Sequence, residues 1–404
     1  MRITFLIHQI AKGGGMALQA VNLAKSLNEK GQNISIISTS KFPINRQLRN
    51  YLCNVNYFEI DSRWAYYPPL YYTQTISFFE KKIKHSDILQ CFNPFFDAVV
   101  ALKIKKKRKI PIVIRLGAVY ENYYLDKLFG EIRGKNFHNY IDKLSVLINI
   151  VLKKVLEKCD VVIFNSKFLK GYYKRIENPN KIIIRNGIDT TKFNYFTPIP
   201  EELLTRFQIE DPTSQKILYV GRIEPRKSLE TLILAFSMLP SKIQQSTTLF
   251  IVGPAKISSE YYSFLLNLIR KKSLQGRIKF LGDVEYESLP FLYSLADLVV
   301  FTSDYRFQKT SEGLPNVVLE SLACKRPCLA ADIAGVREVI THMENGILFL
   351  PNNSSDLSYK ISLLLEDNTL CKKLGMAGRK TIVAEHSLGQ VVMKYESIYD
   401  RLYE

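Results

Sequence analysis

Lys216-Ile217-Leu218-Tyr219-Val220-Gly221-Arg222-Ile223-Glu224-Pro225-Arg226-Lys227 lies just past the middle of the 404-residue chain. Residues Ile217 to Val220 form an unbroken apolar run of the kind that is buried on both faces of a parallel sheet. Gly221 then breaks the run. The loop beyond it carries three cationic side chains before a helical pattern begins at Leu229. A strand, a glycine turn and a helix make up the repeating unit of a doubly wound α/β sheet. To meet that unit at residue 216, after one series of strands and helices has already run its course, implies two such sheets in one chain.

Upstream, Ile3–Ile7, Ile34–Ser38, Ile88–Cys91, Ile112–Arg115, Val161–Asn165 and Lys181–Arg185 read as strands. Helix-length stretches Ala17–Lys30 and Lys143–Lys158 sit between them, the first ending at Gly31, a natural C-cap. Downstream the pattern predicts a helix over Leu229–Met238, strands at Leu249–Val252 and Ile278–Leu281, a helix at Leu289–Leu295 and a strand at Leu298–Thr302. The segment Asn194–Ser214 holds Pro198, Pro200 and Pro212 and no strong period, so the junction falls near residue 190. The expected fold class is α/β with two Rossmann-like domains, 1–190 and 191–385. Open α/β sheets bind ligands beyond the carboxyl ends of their strands, so a cleft between two facing sheets is the expected site.

Composition narrows the function classes. The net charge is +18, and it is uneven: residues 1–190 hold 31 Lys and Arg against 14 Asp and Glu, while residues 191–404 hold 25 against 24. A basic first half favours an anionic partner or membrane surface, although a lysine-rich surface without a partner explains the charge equally well. No recognisable nucleic-acid module accompanies it, so a nucleic-acid partner is not expected. No apolar run approaches the ~18 residues of a membrane-spanning helix. The six cysteines, at 53, 91, 159, 324, 328 and 371, lack metal-type pairing. With no secretory leader, a reducing cytoplasmic location is expected, and Cys324 and Cys328 read as a buried helix-to-strand turn.

Three segments carry chemistry. Gly13-Gly14-Gly15 follows the first strand and opens a helix, where backbone N–H groups can approach an anion; a structural tight turn accounts for it as well. Arg222 and Lys227 leave one loop and can converge on a diphosphate, Arg as a planar fork of donors and Lys as a point charge; Arg226 between them reads as the solvated one. Ser311-Glu312-Gly313-Leu314-Pro315-Asn316 places a proline where a helix begins, with Gly313 allowing close approach to a ligand. Glu320 follows Glu312 by eight residues, ~12 Å along a helix. That is too far for the two carboxylates to act on one bond as a hydrolase pair does, but it suits two contacts on one elongated ligand.

In order and spacing these segments resemble the retaining glycosyltransferase family 4, of the two-domain GT-B fold, over essentially the whole chain. The matching residues are Gly13–Gly15, Asn186-Gly187-Ile188-Asp189 with Phe193, Gly221-Arg222 with Lys227, Val252-Gly253-Pro254, and Glu312 with Glu320 running into Ala323-Cys324 and Pro327. The resemblance implies that a sugar moves from a nucleotide-diphosphate donor, a UDP-sugar by family habit, to a saccharide acceptor, with retention and without a catalytic metal or cofactor. It implies that Arg222 and Lys227 neutralise the leaving diphosphate, and that N–H groups at Gly14, Gly15, Gly313 and Leu314 complete the cradle. Glu312 would hold donor-sugar hydroxyls and Glu320 the ribose, with Gly253 and the Gly282–Val284 segment lining the base pocket. The chain departs from the family pattern at three points. A histidine that many members carry near the sugar is missing, with Asn93 or Arg115 as stand-ins. Ser228 and Lys325 occupy positions where glycine is usual. The segment from about 386 to 404 is implied to return as a helix to the first domain.

The acceptor is expected on the first domain. Trp64–Tyr72 and Tyr120–Tyr124 are rich in aromatic rings of the kind that stack on sugars or settle at membrane interfaces. The run Lys103-Ile104-Lys105-Lys106-Lys107-Arg108-Lys109 suits acidic lipid headgroups, and the helix Lys143–Lys158 mixes aliphatics with lysines as an interfacial helix does. A lipid-linked acceptor in surface polysaccharide or glycoconjugate synthesis, and peripheral attachment to the inner face of the cytoplasmic membrane, are the corresponding expectations. The alternatives are a nucleotide-sugar-binding GT-B protein without transfer activity, or another GT-B enzyme such as an epimerase.

Overall fold

The computed structural model describes residues 1–8, 15–40, 52, 55–61, 68–83, 85–120, 138–195, 200–207, 214–255, 259–303 and 313–404. The chain divides into two compact units: residues 1–187 with 309–314 and 388–404, and residues 188–308 with 315–387.

The first unit holds a seven-stranded parallel sheet. Its strands are β1 (Arg2–His8), β2 (Asn33–Ser40), β3 (Asn56–Asp61), β4 (Ile88–Cys91), β5 (Ile112–Leu116), β6 (Val161–Phe164) and β7 (Lys181–Ile183), in the order β3-β2-β1-β4-β5-β6-β7. Neighbouring strands pair in parallel throughout. Alternation along each strand feeds two cores. Leu6, Leu89, Ile112 and Ile114 face one cluster, which also takes side chains from the helix Asp97–Arg108. Phe5, Ile7, Ile88 and Val113 face the other, which is closed by the helix Gly15–Glu29 and the last helix, Leu388–Tyr403. Tyr395 and Tyr399 of that last helix are fully buried there.

The second unit repeats the plan with β8 (Gln215–Val220), β9 (Thr247–Val252), β10 (Ile278–Gly282), β11 (Leu298–Phe301), β12 (Cys328–Ala331) and β13 (Ile347–Phe349), ordered β10-β9-β8-β11-β12-β13 and parallel. In each sheet the winding reverses once, between β1 and β4 and between β8 and β11. Crevices at such reversals are where doubly wound sheets bind ligands.

Predicted and observed elements agree closely where the apolar runs are long. Three strands escaped the reading: β3, β12 and β13. β3 begins Asn-Tyr and ends Glu-Ile-Asp, too polar to stand out. β12 is Cys-Leu-Ala-Ala, whose small residues carry little strand propensity. β13 is only three residues long. Cys324 caps the helix Asn316–Ala323 and Cys328 opens β12, so the pair forms the buried helix-to-strand turn. The described cysteines are all free; Cys53 lies outside the described residues.

Candidate functional site

Three glycines end three adjacent strands of the second unit. Gly221 follows β8, Gly253 follows β9 and Gly282 closes β10. Gly221 donates to Val252 O at 2.9 Å and Gly253 donates to Gly282 O at 2.8 Å. The strand ends therefore lie backbone against backbone. A Cβ on Gly253 would sit 2.0 Å from the Gly221 carbonyl oxygen, and its φ is +139°. Only glycine permits that approach. Val284 follows β10 and is half-buried.

The loop after β8 turns through a single 3₁₀ turn, Pro225–Lys227. Lys227 is 8% exposed. Its carbonyl accepts the Thr302 hydroxyl, from the end of β11, at 2.5 Å, and its ammonium lies 5.4 Å from the centre of the Phe301 ring. Lys227 therefore sits at the β8/β11 reversal, where a bound anion would be met. Arg222 is more exposed and lies 3.5 Å from Glu224. Arg226, expected to be the solvated cation, is instead held by the same Glu224 carboxylate and is the less exposed of the two arginines.

Glu320 rides on the helix Asn316–Ala323, among Val318, Leu319 and Leu322. It is 3% exposed. One carboxylate oxygen accepts the Tyr293 hydroxyl at 2.7 Å. Burial pushes its pKa up from 4.5 to about 7, against the opposing pull of the Tyr293 hydrogen bond and of Lys192. Pro315, placed by sequence in the first helical turn, is the extended residue just before it, with ψ 127°. The two departures from family glycines are informative. Ser228 has φ +48° and Lys325 has φ +54°, so both adopt the left-handed conformation for which glycine is suited.

In the first unit Gly15 is the exposed first residue of its helix. Gly14 and Glu312 lie outside the described residues. Asn93 holds the turn before the helix Asp97–Arg108: its side-chain oxygen accepts the N–H groups of Phe95 and Phe96 at 2.9 and 3.0 Å. Arg115 is not presented at a surface. It is 2% exposed within β5 and donates to the Asn186 side-chain oxygen at 2.5 Å. His8 closes β1 with its ring stacked on Phe96 at 4.0 Å. Gly313 donates its N–H to Gly117 O at 3.2 Å, and the carbonyl of Leu314 accepts Asn186 Nδ2 at 2.8 Å. A Cβ on Gly313 would fall 2.0 Å from Asn165 Oδ1.

Sequence reasoning missed three contributors, Tyr293, Arg379 and Asn165, and gave Asn186 no contact of its own. Tyr293 supports Glu320, and Arg379 donates to the carbonyls of Thr190, Phe193 and Ala323. Asn165 and the amide of Asn186 touch the Gly313–Leu314 segment. No local pattern marks the first two, because their partners are distant in sequence. The Asn-Gly-Ile-Asp motif already contained Asn186.

Two family models match in tandem. Glycosyltransferase Family 4 matches residues 13–192 and Glycosyl transferases group 1 matches residues 202–381. Among characterised proteins, the N-acetyl-alpha-D-glucosaminyl L-malate synthase of Bacillus anthracis is 26% identical over 255 residues, 62% of this chain and 62% of that protein. The chain thus spans about three fifths of that relative's length. Among solved structures, the sucrose-phosphate synthase of Thermosynechococcus elongatus superimposes with a TM-score of 0.80 at 19% identity, covering 100% of this chain and 99% of the other. Anabaena Alr3699/HepE in complex with UDP and glucose gives 0.77 at 19% identity, covering 99% and 100%. The tandem models, together with a fold shared over the full length of both solved structures, place this chain in the group 1, family 4 glycosyltransferases of the GT-B fold.

Proposed function

We propose that the protein transfers a hexose-type sugar, with retention and without a metal or other cofactor, from a UDP-sugar to a saccharide acceptor carried on a lipid. The observation that carries the donor half is the position of Lys227 at the β8/β11 reversal, beside the Gly221, Gly253 and Gly282 turns. A diphosphate needs fixed positive charge in a partly dehydrated place, and Lys227 with Arg222 supplies it. The UDP and glucose held by the Anabaena relative support uridine as the base.

In the proposed reaction the acceptor hydroxyl oxygen bonds to the anomeric carbon on the face from which the diphosphate departs. The bond from that carbon to the diphosphate oxygen breaks. The departing phosphate oxygen takes the acceptor's proton, and Arg222 and Lys227 stabilise its charge. Glu312 holds the sugar hydroxyls and Glu320 receives the ribose. The second unit takes the donor and the first unit the acceptor. Incubation with UDP-glucose and a panel of lipid-linked saccharides in EDTA, followed by NMR of the product's anomeric proton, tests the reading. An α-linked product formed in EDTA supports it; a β-linked product, or a strict requirement for metal, contradicts it.

Peripheral attachment to an anionic membrane is supported by the first unit's surface. Ile150 and Val151 are exposed beside the exposed Lys153 and Lys154, and Lys106 to Lys109 are exposed at the end of the helix Asp97–Arg108. No described helix is long and apolar enough to cross a membrane. The Trp64–Tyr72 and Tyr120–Tyr124 clusters lie largely outside the described residues. Co-sedimentation with phosphatidylglycerol vesicles at 0.15 M salt is expected, and none with phosphatidylcholine vesicles. Equal partitioning to both, or to neither, contradicts the attachment.

A further inference from the structure

β7 is the outer strand of the first unit's sheet and pairs on one side only, with β6. Val162 donates its N–H to Asn180 O, and Ile184 donates its N–H to Phe164 O, both at 3.0 Å. Lys181 lies opposite Val162 and Ile183 opposite Phe164. In a parallel ladder each residue's N–H and C=O lie on one side of its strand, and successive residues alternate sides. Ile182 therefore serves β6, and Ile183 turns both backbone groups outward. Neither group has a hydrogen-bond partner among the described residues. Exposed edges are commonly guarded by lysine side chains. Lys181 does not guard this one: its ammonium turns back to the carbonyls of Lys174 and Ile176, at 3.2 and 2.8 Å.

A pocket of about 300 Å³ lies between β7 and the last helix, Leu388–Tyr403. Ile182 and Ile184 give it an apolar side where the strand meets the core. Gln390, Lys394, Ser397 and Arg401 line it from the helix. Their spacing of four, three and four residues sets them in one stripe, ~16 Å long. All four are exposed and all carry hydrogen-bond donors. Two are cations, and no carboxylate lines the pocket. Lys394 and Arg401 form no ion pair among the described residues, and Arg401 gives one N–H to Ser397 O at 3.2 Å. Glu396 of the same helix pairs with Lys30 and is not part of the lining.

We propose that this groove takes an extended acidic segment of a partner protein, which adds to β7 as a further strand. Its main chain pairs with the N–H and C=O of Ile183. Side chains alternate along a strand, so every second residue of the segment faces the helix, and carboxylates there meet Lys394 and Arg401. Strand addition at a free edge draws affinity from the main chain and specificity from the alternate side chains. A second copy of β7 is a poorer occupant, because edge-to-edge pairing sets the cationic stripes of both copies along one seam. The proposal makes no use of the donor reading.

The probe is a capped hexapeptide of alternating glutamate and valine, titrated into the full chain and followed by fluorescence anisotropy. The peptide is expected to bind, and hydrogen exchange across β7, read by mass spectrometry, to slow at least fivefold in its presence. The same peptide with methyl groups on alternate main-chain nitrogens is expected to bind at least tenfold more weakly, which separates strand addition from charge attraction. Lys394→Glu with Arg401→Glu, both at exposed positions, is expected to weaken the parent peptide at least tenfold and to favour a lysine-valine peptide instead. Ile183→Pro removes the outward N–H without removing a ladder bond, and a tenfold loss is expected there as well. The proposal is overturned if the folded parent does not bind the peptide, if the methylated peptide binds within twofold of the plain one, or if the folded variants do. Dimerisation of the parent that itself slows exchange across β7 would assign the edge to a second copy and overturn it too. Should the variants fail to fold, the methylated peptide on the parent decides.

Discussion

The hydroxyl of Tyr293 lies 2.7 Å from a carboxylate oxygen of Glu320, and both side chains are buried. It is a local support for an acid placed where ionisation is unfavourable, and it links the ligand-binding role proposed for Glu320 to a stability cost.

That cost depends on pH. The folded state holds the Glu320 proton up to a pKa of about 7, against an ordinary value of 4.5. The native state thus binds more protons than the unfolded state between these values, and stability falls as pH rises from about 4.5 to 7, levelling off above. The penalty at pH 8 is roughly 3 kcal/mol. Glu320→Gln keeps an acceptor for Tyr293 and removes the charge. It is expected to be more stable than the parent by about 2 kcal/mol at pH 8 and no more stable at pH 4.5, while losing affinity for nucleotide. Urea unfolding of both proteins at the two pH values checks this; a variant less stable at pH 8 than the parent refutes the burial argument.

Gly253 allows the ends of β8 and β9 to touch. Gly253→Ala places a methyl 2.0 Å from the Gly221 oxygen at φ +139°, and a loss of about 3 kcal/mol or more is expected. Gly276 has open space around its missing Cβ, so Gly276→Ala is expected to fall within about 0.5 kcal/mol of the parent. Chemical denaturation compares the two, and equal stabilities would contradict the close approach.

Arg379 reaches Phe193 O at 2.6 Å and Thr190 O at 2.9 Å, and also bonds Ala323 O at the end of the Glu320 helix. Its planar fork serves three carbonyls that one ammonium cannot reach together. Arg379→Ala is expected to cost about 2–3 kcal/mol, and Arg379→Lys to recover less than half of that. Full recovery by lysine in the same unfolding assay would show that charge alone matters at this position.

Lys325 takes a left-handed conformation, φ +54°, with its ammonium 3.5 Å from the centre of the Tyr195 ring. Lys325→Gly removes backbone strain of about 1 kcal/mol but loses the ring contact and frees the unfolded chain, by about the same amount. Stability is expected to stay within about 1 kcal/mol of the parent. Lys325→Val, whose branched side chain resists this φ, is expected to fall further. A valine variant as stable as the glycine one would contradict the conformational argument.

The sheet strands with long apolar runs, the glycine turns and the cationic loop after β8 were legible because each rests on chemistry within about ten residues. Burial pattern and propensity both point the same way in β1, β5 and β8. What stayed hidden depends on distance in the chain. Gly313 meets Asn165 and Gly117, and Asn186 meets Arg115 and Leu314, across gaps that no spacing rule spans. Arg115 is a candidate only as a stand-in for the histidine missing from the family pattern, whereas the folded chain gives it an internal amide partner. Arg226 is not the solvated cation because the 3₁₀ turn Pro225–Lys227 that carries it folds it onto Glu224, which Arg222 meets only at 3.5 Å.

The central claim is that the second unit binds a nucleotide diphosphate through Lys227. Its most direct test is the melting temperature of the parent protein and of Lys227→Met in EDTA, with and without UDP, GDP and ADP. At a hundredfold excess over Kd, a ligand stabilises by about 2.7 kcal/mol, a shift of a few degrees. The account predicts that UDP raises the parent's melting temperature by that amount and leaves Lys227→Met unmoved. Equal stabilisation of both proteins, or none of the folded parent by any of the three nucleotides, would contradict it.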